Sequence, residues 1–336
     1  MRAVALDYQR RQLVETAFPE PRFERDDQVL FRVLEVGVCG TDRELAGFQL
    51  GFPPPGQSLL ILGHEALGQV LEVGPTVTTL RPGDWVVPMI RRACAPPCPS
   101  CARGRRDLCV SGKWLERGIF GMHGYCAEYA LDAAEDLVRI PDTLLDCAVL
   151  IEPLSVVEKA LETALRFHEP GARTALVLGA GPIGMLAALA LELRGLETSM
   201  YSLEPPEHPR ARLISAAGVR YLTTLEQITA DIVVEATGSA DAVSSGLRCL
   251  APLGVCAVLG AATAAGQIPL LDLLVNNQTV FGSVNASPQS FARALEDLAQ
   301  FDRAILQRMI RRATLSELPQ TLSGPLPEAP KIVHVL

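Results

Sequence analysis

Three short segments, far apart in the chain, carry residues that suit a metal dication. Cys39 stands in Gly-Val-Cys-Gly-Thr-Asp, His64 in Gly-His-Glu, and Glu152 in Ile-Glu-Pro-Leu. A thiolate, an imidazole and a carboxylate would give zinc two negative charges, and three protein ligands leave its fourth position open for chemistry. We therefore predict a catalytic zinc at Cys39, His64 and Glu152. The alternatives are a small buried cysteine and a turn with a polar side chain.

A second metal-type pattern is a short cysteine-rich loop with the spacing C-x3-C-x2-C-x7-C. Prolines and a glycine between the cysteines disfavour regular structure, so something else must order the segment. Four thiolates around a zinc ion would do so and leave no open position, which makes this zinc structural. A reduced, flexible loop and a pair of disulfides are the alternatives. The four predicted ligands are Cys94, Cys98, Cys101 and Cys109.

A glycine-rich turn follows the short apolar run at residues 174–178 and opens a helical pattern. Its G-x-G-x-x-G form between a strand and a helix is the context of a dinucleotide-binding fold. The glycines let the backbone approach a pyrophosphate, whose charge faces the helix N terminus. Two later strands also end in Gly or Thr, where such a sheet opens to its ligand. The predicted cofactor contacts are Gly179, Gly181, Pro182, Ile183, Gly184, Thr237 and Gly260.

The strand after this turn ends near Glu204, about 20 residues beyond Gly184. A carboxylate at that place binds the ribose hydroxyls of NAD and repels the 2′-phosphate of NADP. Prolines at 205 and 206 occupy the positions where an arginine would best serve NADP. Arg210 and Arg212 lie further along and offer the opposing interpretation. We predict that NAD is favoured over NADP.

Composition limits the class of protein. The chain has 336 residues, 49% of them hydrophobic and 20% charged, and a net charge of −8 at pH 7. The acidic balance argues against binding nucleic acid or an anionic membrane. Basic runs such as Arg91–Arg92 and 103–106 are predicted to be solvated faces. With no signal-peptide core and no membrane-length apolar run, we expect a cytoplasmic protein whose nine cysteines serve metal or packing roles.

The order of elements predicts an α/β fold with two domains. Short strands rich in Gly and Pro fill the first 150 residues, and strands then alternate with helices. We assign residues 1–170 to the first part of a β-rich catalytic domain and 171–286 to a doubly wound, parallel-sheet dinucleotide domain. Residues 287–336 return to the catalytic domain through a terminal strand.

Together these motifs resemble the zinc-dependent medium-chain dehydrogenases over essentially the whole chain. They resemble most the glucose and aldose 1-dehydrogenase branch, best known from archaea. The segments that carry the resemblance are residues 38–44 (VCGTDRE), 116–119 (ERGI), 152–159 (EPLSVVEK) and 282–285 (GSVN). The resemblance implies a GroES-like catalytic domain that meets a Rossmann domain at a cleft, with Glu65 beside or on the catalytic zinc.

The resemblance also implies how a substrate is handled. Thr41 would relay the proton of the reacting hydroxyl, while Glu116 and Asn285 would bind sugar hydroxyls and Glu152 would contact the sugar as well. More ordinary roles compete for the same residues. Thr41 is also placed to cap a helix, and Asn285 to stabilise a turn. Glu116 could instead pair on the surface with a neighbouring arginine, either Arg92 or Arg117. Three further residues are predicted to be structural: Glu158 and Lys159 on an exposed helix face, and His123.

The predicted activity is zinc-dependent oxidation of an aldose, D-glucose first, at C1 to the lactone, with hydride transfer to NAD(P). A polyol or amino-alcohol dehydrogenase on the same scaffold is the first alternative, and a catalytically idle zinc- or NAD(P)-binding protein is the second. We expect a small-molecule sugar substrate, no nucleic-acid or membrane partner, and a homodimer or homotetramer. The late strand Val280–Val284 would pair between copies, since its edge is otherwise exposed.

Overall fold

Alternating apolar and polar residues, interrupted by Gly and Pro, fold the first 150 residues into short strands. The computed structural model describes residues 1–168, 171–261 and 264–336. The elements before residue 150 are β1 (Arg2–Asp7), β2 (Gln12–Ala17), β3 (Gln28–Val38), α1 (Gly40–Ala46), β4 (Leu59–Ile61), β5 (Glu65–Val73), β6 (Trp85–Pro88), β7 (Arg91–Arg92), β8 (Leu115–Arg117), β9 (Gly121–Met122), β10 (Tyr129–Ala133) and β11 (Leu137–Ile140).

Longer helices begin only after residue 150, where apolar residues recur at helical spacing. The elements are α2 (Ile151–Phe167), β12 (Thr174–Leu178), α3 (Pro182–Leu193), β13 (Glu197–Tyr201), α4 (Pro209–Ala216), β14 (Arg220–Leu222), β15 (Ala230–Glu235), α5 (Ala240–Arg248), β16 (Leu250–Val258), α6 (Leu270–Val275), β17 (Thr279–Gly282), α7 (Pro288–Leu298), α8 (Arg303–Met309), β18 (Ile310–Thr314), α9 (Leu318–Ser323) and β19 (Lys331–Val335). Short 3-10 turns occur at Cys101–Arg103, Arg106–Leu108, Ala134–Asp136, Asp142–Leu144, Ala148–Leu150 and Leu315–Glu317.

Six parallel strands form one sheet in the order β14-β13-β12-β15-β16-β17. This is the doubly wound order, in which successive strands are added outward from β12 on one side and from β15 on the other. The strand order therefore switches between β12 and β15. The two central strands are almost wholly apolar because both of their faces are buried. Ligands of such sheets bind at the carboxyl ends of the strands beside the reversal. The predicted α/β class is confirmed.

The other large sheet has the order β11-β6-β5-β3-β19-β18, with β10 also paired to β3. The terminal strand β19 runs antiparallel to β3, and Ile332 lies opposite Val38. The chain therefore returns to its first part at the end, as the sequence predicts. In the same sheet Gly37 on β3 lies opposite Glu65 on β5. This register brings the end of β3, the start of β5 and the start of β19 together.

Helix α2 is buried along most of its length, between the two sheets and helices α3 and α7. Its polar residues Glu152, Glu158 and Lys159 are all buried. The prediction of an exposed face at Glu158 and Lys159 is wrong. Glu158 pairs there with Arg194, the C-cap residue of α3, a partner that local sequence does not reveal.

The basic runs also differ from the prediction. Arg91 and Arg106 are buried rather than solvated, and Arg92 is nearly so. Two buried aspartates, Asp132 and Asp136, compensate Arg92, and Asp136 also pairs with Arg106. These partners lie 30 to 44 residues further along the chain, so the runs alone could not identify them. By contrast, the four cysteines outside both metal-type patterns are buried, which agrees with the packing role expected for them: Cys126, Cys147, Cys249 and Cys256.

In the described parts of the chain, every helix is too short or too polar to span a bilayer.

Candidate active site

A thiol and an imidazole meet where β3 ends and β5 begins. Cys39 follows β3 and is the N-cap residue of α1, and His64 immediately precedes β5. The Cys39 Sγ lies 2.9 Å from the His64 Nε2. One donor atom each from Cys39, His64 and Glu65 lie within 4.8 Å of one another. This set contains the soft and borderline donors that zinc prefers.

Asp42 orients both donors. The backbone N–H of Cys39 donates to Asp42 Oδ2 at 2.9 Å, and Asp42 Oδ1 lies 3.3 Å from His64 Nδ1. Burial alone would lower the pKa of His64, but the charges of Asp42 and Cys39 outweigh it and raise that pKa. A carboxylate behind Nδ1 turns Nε2 toward a metal, as in many zinc sites. Thr41 lies inside α1, so its predicted alternative as the cap is wrong.

Glu65 is compensated by a lysine from the terminal strand. Both Glu65 oxygens accept from Lys331 Nζ, at 2.7 and 2.6 Å, and both residues are buried. Lys331 also donates to the Val38 carbonyl at 3.2 Å. Because this pair is close to neutral, Glu65 adds little net charge to the donor cluster.

Glu152 is the unpaired carboxylate of the site. It stands in the first turn of α2 and is 9% exposed. Burial first, and then the charge of Glu65, raise its pKa to about 8. Among the described residues no side chain or N–H group donates to this carboxylate, and it lies outside the 4.8 Å group of Cys39, His64 and Glu65. A dication beside it would supply the missing compensation, so the donor set fits zinc.

The cysteine-rich loop forms a compact cluster of four thiols. One Sγ from each lies within 4.8 Å of the others, and the Sγ atoms of Cys98 and Cys109 are 3.8 Å apart. Backbone N–H groups of Cys101 and Val110 lower the pKa of Cys98 to about 5, which favours its thiolate. Burial raises the pKa of Cys101 to about 12. Four convergent sulfurs suit a closed zinc site. The members are Cys94, Cys98, Cys101 and Cys109.

A cleft of about 790 Å³ lies between the two parts of the chain and is lined by Cys39 and by the glycine turn. Gly184 has to be glycine, because a Cβ there would lie 1.9 Å from the Gly179 carbonyl oxygen. Gly181 caps α3, and a Cβ on it would meet no atom within 4 Å. The backbone at Gly181 is therefore open to the cleft, next to a helix N terminus. This geometry fits a pyrophosphate.

The loop after β15 is held by a buried glutamate that the sequence analysis missed. Glu235 Oε1 accepts from the backbone N–H of Thr237 at 2.6 Å and of Gly238 at 3.1 Å. Thr237 lines the cleft. Gly260 does not line it but allows the loop to pack, since a Cβ there would lie 2.1 Å from the Gly238 nitrogen. Pro182 lines the cleft, and Ile183 packs on the core behind it.

Glu204 also lines the cleft, just beyond β13. Burial would raise its pKa, but a bond from the Ser202 hydroxyl and the charge of Arg210 lower it, so the carboxylate is ionised. The Arg210 Nη1 lies 3.4 Å from Glu204 Oε1. Two backbone carbonyls hold the rest of this guanidinium, those of Pro327 at 2.6 Å and Glu328 at 3.2 Å. Arg212 is exposed.

Glu116 and Asn285 meet although they are 169 residues apart. Asn285 Nδ2 donates to Glu116 Oε1 at 2.6 Å, and Arg91 contacts the same oxygen at 2.7 Å. Glu116 is buried, so the predicted surface pair with Arg92 or Arg117 is wrong. In the described parts of the chain no hydrogen bond reaches its Oε2. The charge of Glu116 is also one of the smaller causes that raise the pKa of Glu152, so the two carboxylates act on each other through space.

Three further residues were found only from the structure. Asp42 had a weak signal, because it follows Cys39 at the spacing of a helix-capping pair. Lys331 and Arg91 had none, since each acts on a residue distant in sequence. His123 is structural, as predicted. Its Nδ1 accepts from the Ile61 N–H at 3.2 Å, and its Nε2 lies 2.8 Å from Gln57 Oε1.

This fold and donor cluster define a dehydrogenase of the medium-chain type. The family model of the alcohol dehydrogenase GroES-like domain matches residues 25–142, and that of the glucose dehydrogenase C-terminus matches residues 145–323. The chain belongs to the zinc-dependent medium-chain dehydrogenases, in the branch of the glucose dehydrogenases. The family that the sequence motifs indicate is confirmed.

Curated relatives and solved structures agree. The chain is 40% identical over 332 residues to a glucose 1-dehydrogenase of Methanocella arvoryzae, with 92% of each chain covered. It is 42% identical over 314 residues to glucose 1-dehydrogenase 1 of Caldivirga maquilingensis, with 88% of each covered. The structure of Haloferax mediterranei glucose dehydrogenase in complex with NADP, zinc and gluconolactone is 30% identical. It superposes with a TM-score of 0.91 and covers 100% of this chain and 99% of that one.

Proposed function

We propose that this protein oxidises D-glucose, or a closely related aldose, at C1 to the lactone and transfers the hydride to a nicotinamide dinucleotide. One observation carries the proposal. A buried polar pair, Glu116 and Asn285, lies within range of the charge of Glu152, and Cys39 of the zinc-type donor set lines the nucleotide cleft. Relatives with about 40% identity over most of their length are named glucose 1-dehydrogenases, which supports the same reaction.

The proposed ligands of the catalytic zinc are Cys39, His64 and Glu152, with Glu65 beside the metal. A zinc ion bound there supplies Lewis acidity, which lowers the pKa of a coordinated hydroxyl. Asp42 fixes the His64 ring, and Lys331 keeps Glu65 from adding a third uncompensated charge. Paired with Lys331, Glu65 would stand beside such an ion or bind it in some states.

Thr41 is the proposed relay for the substrate proton. It follows Cys39 by two residues and lies in the first turn of α1, beside the cleft-lining Gly40. Its hydroxyl has no hydrogen-bond partner within the described residues, so it is free to accept a proton and pass it to a ribose hydroxyl or to water. The walls of the cleft are largely apolar, and the hydride chemistry belongs to the cofactor.

The proposed sugar contacts are Glu116, Asn285 and Glu152. Glu116 Oε2 is free to accept from a sugar hydroxyl while Oε1 is engaged by Arg91 and Asn285. A buried site of this kind selects substrates that carry hydroxyls, because analogues that lack them leave its polar groups unpaired. This preference separates an aldose site from the apolar pocket of a simple alcohol dehydrogenase.

The proposed cofactor is NAD in preference to NADP. The ionised Glu204 suits ribose hydroxyls, and Arg210 is engaged by Glu204 and by two carbonyls rather than free for a phosphate. The Haloferax relative was solved with NADP, so the two cofactors need direct comparison. We expect a higher kcat/KM with NAD, and we expect Glu204→Gln to narrow the difference by removing the charge that repels the 2′-phosphate. A clear preference of the parent protein for NADP would contradict the assignment.

The proposed metal content is two zinc ions per chain, one for each donor group. The thiols of the cysteine loop must stay reduced to bind metal, which suits a cytoplasmic location. Cys101→Ser should lower the zinc content from two to one and leave the catalytic ion in place. Mass spectrometry that finds disulfides among the four cysteines in freshly lysed cells would contradict the closed zinc site.

The substrate assignment is tested with a panel of sugars and alcohols. The purified, zinc-loaded protein is assayed with glucose, galactose, xylose, sorbitol, threonine and ethanol, each with NAD and NADP. We expect the highest kcat/KM on glucose or another aldose. Highest activity on sorbitol or threonine would favour the polyol or amino-alcohol alternative, and comparable activity on ethanol would contradict a hydroxyl-binding site.

A further inference from the structure

The polar contacts around Glu116 continue into the cysteine loop. Arg91 contacts Glu116 and also donates from Nη1 to the Asp107 carbonyl at 3.2 Å. Asp107 is buried and lies two residues before Cys109, in the 3-10 turn Arg106–Leu108. The loop that holds four convergent thiols therefore touches the residue that orients one member of the sugar-binding pair.

A second path leads from the same aspartate to the other member of the pair. The Nζ of Lys159 lies 3.2 Å from Asp107 Oδ2 and donates to the Val284 carbonyl at 2.8 Å. That carbonyl belongs to the peptide that joins Val284 to Asn285. The contacts close a ring, which runs through Glu116, Arg91, Asp107, Lys159 and Asn285. The ring contains residues of β7, β8, the cysteine loop, α2 and the segment after β17.

The backbone conformation of Asn285 indicates what this ring of contacts does. Asn285 has φ +62°, in the left-handed region that residues other than glycine adopt infrequently. Lys159 holds the peptide on its N-terminal side, and Glu116 holds its side chain. Lys159 is 7% exposed, so its ammonium group is committed to these contacts rather than to water. Without them, the segment can relax and carry the amide away from Glu116.

We propose that Asp107 and Lys159 are positioning residues, which fix the placement of Asn285 against Glu116 and so make sugar affinity depend on the ordered cysteine loop. The inference rests on the proposed sugar-binding role of Glu116 and Asn285. It assigns a task to the loop beyond stabilising its own fold. The same network leaves the nucleotide-binding residues untouched, so its effect falls on sugar binding alone.

Lys159→Met tests the proposal, because methionine keeps the length and apolar stem and removes the ammonium group. In the zinc-loaded enzyme we expect KM for glucose to rise roughly tenfold, with kcat changed far less and the Kd for the dinucleotide unchanged. The matched control is Lys113→Met, which removes an exposed lysine close to the same loop and should leave KM as it is. Lys159→Arg retains the charge and should restore part of the affinity.

Fluorescence supplies a readout that does not depend on turnover. The chain has two tryptophans, and the ring of Trp114 lies 4.2 Å from the guanidinium of Arg91. In a Trp85→Phe background, titration with glucose should change Trp114 emission, and Lys159→Met should move the midpoint to higher glucose by the same factor as KM. Asp107→Asn keeps the shape of the side chain and should also move the midpoint to higher glucose. This variant tests the positioning role if Lys159→Met fails to fold.

The outcomes distinguish a failure of the proposed function from a failure of the proposed positioning role. A parent protein that oxidises no aldose refutes the proposed function itself. A parent that oxidises glucose while Lys159→Met and Asp107→Asn leave both KM and the fluorescence midpoint unchanged refutes only the positioning role. Loss of thermal stability and of kcat, with KM unchanged, would indicate a purely structural role and would also refute it.

Discussion

At the residue scale, the pairing of buried charges distinguishes the reacting centre from the scaffold. Glu65 is compensated by Lys331, and Glu116 by Arg91. Glu152 is also buried, yet no described residue forms an ion pair or a hydrogen bond with its carboxylate. Since unpaired buried charges are costly, such a group indicates a missing ligand. The three carboxylates have the same chemistry, and their different surroundings give them different roles.

Removal of a sugar contact should lower kcat/KM for glucose without weakening the binding of the dinucleotide. We expect Glu116→Gln and Asn285→Ala each to lower kcat/KM for glucose by about 1–3 kcal/mol of transition-state binding. The dinucleotide Kd, measured by fluorescence titration, should stay nearly constant. The same kcat/KM in both variants as in the parent protein would show that the sugar binds elsewhere.

Asn285 needs a second variant, because its left-handed backbone complicates the alanine result. Alanine at φ +62° adds backbone strain, whereas glycine accepts this conformation freely. Asn285→Gly removes the same amide without strain. Equal losses of kcat/KM in the two variants would assign the effect to the missing amide. A loss of kcat/KM confined to Asn285→Ala would assign it to backbone strain.

The buried ion cluster at Asp132 predicts how stability depends on pH. Asp132 accepts from Arg117 Nη2 at 2.6 Å and from the Tyr125 hydroxyl at 2.7 Å. Burial would raise the pKa of Asp132, but the charges of Arg117 and Arg92 hold it below its ordinary 3.8. Its stabilising contribution is therefore present above pH 3.8 and is lost as pH falls through the lower folded-state pKa.

We expect Asp132→Asn to reduce the free energy of unfolding by about 3 kcal/mol at pH 7, with a smaller difference from the parent protein as the pH falls below 3.8. Denaturant titrations across this range measure it. Asp27→Asn is the control, because Asp27 also has a lowered pKa but is fully exposed and should change stability little. A difference for Asp132→Asn that stays constant down to pH 2 would contradict the assigned cause.

At the element scale, the sequence predicts the features that neighbouring residues determine, such as the bounds of a strand or the position of a turn. The strand Thr174–Leu178 has the predicted bounds, and the glycine turn lies where G-x-G-x-x-G places it, because apolar runs and glycines act on their own neighbourhood. The helix that the pattern predicts after the turn begins at Pro182, inside the glycine motif itself. Pairings across the fold were not predictable in this way, and the buried face of α2 was misjudged for that reason.

The glycine turn permits a matched pair of substitutions. Gly181 has an extended backbone, φ −79° and ψ 179°, and open space where a side chain would begin. We expect Gly181→Val to fold with unchanged stability and to raise the dinucleotide Kd about tenfold or more, because the valine occupies the pyrophosphate position. Gly184→Ala should instead destabilise the protein by about 1–3 kcal/mol, since its Cβ meets a carbonyl. Tight dinucleotide binding by Gly181→Val would exclude the pyrophosphate from this turn.

At the scale of the whole molecule, the terminal strand completes the site. Lys331 lies 266 residues from Glu65, and β19 places it in the sheet that contains β3 and β5. Cys39, His64 and Glu152 could be nominated from sequence because their residue types are diagnostic. Their compensating partners could not, since a buried lysine or arginine shows no local sign of its distant partner. The division at residues 170/171 and 286/287 stays our proposal for the domains.

An uncovered apolar surface supports the proposed association of two copies. β17 pairs with β16 on one side, and its other edge has no partner strand among the described residues. Beside it, α6 buries none of its residues, and Leu270, Leu271 and Leu274 are 70–76% exposed. We propose that a second copy covers this edge and helix, since exposed edges and apolar patches of this kind promote pairing.

Sedimentation analysis should find a homodimer or a homotetramer, and Leu271→Glu with Leu274→Glu should shift it toward monomers. Leu71→Glu introduces the same charge at another exposed leucine, on β5, and should leave the assembly intact. A monomeric parent protein at assay concentration would contradict the proposed interface.

The central claim is hydride transfer from C1 of an aldose, and isotope transfer tests it most directly. The zinc-loaded protein is supplied with D-glucose deuterated at C1 and with NAD or NADP, and the products are examined by NMR and mass spectrometry. We predict one deuterium at C4 of the reduced nicotinamide and none on the lactone. Reduced cofactor without deuterium, or deuterium retained in an oxidised sugar, would place the reaction at another carbon and contradict the account.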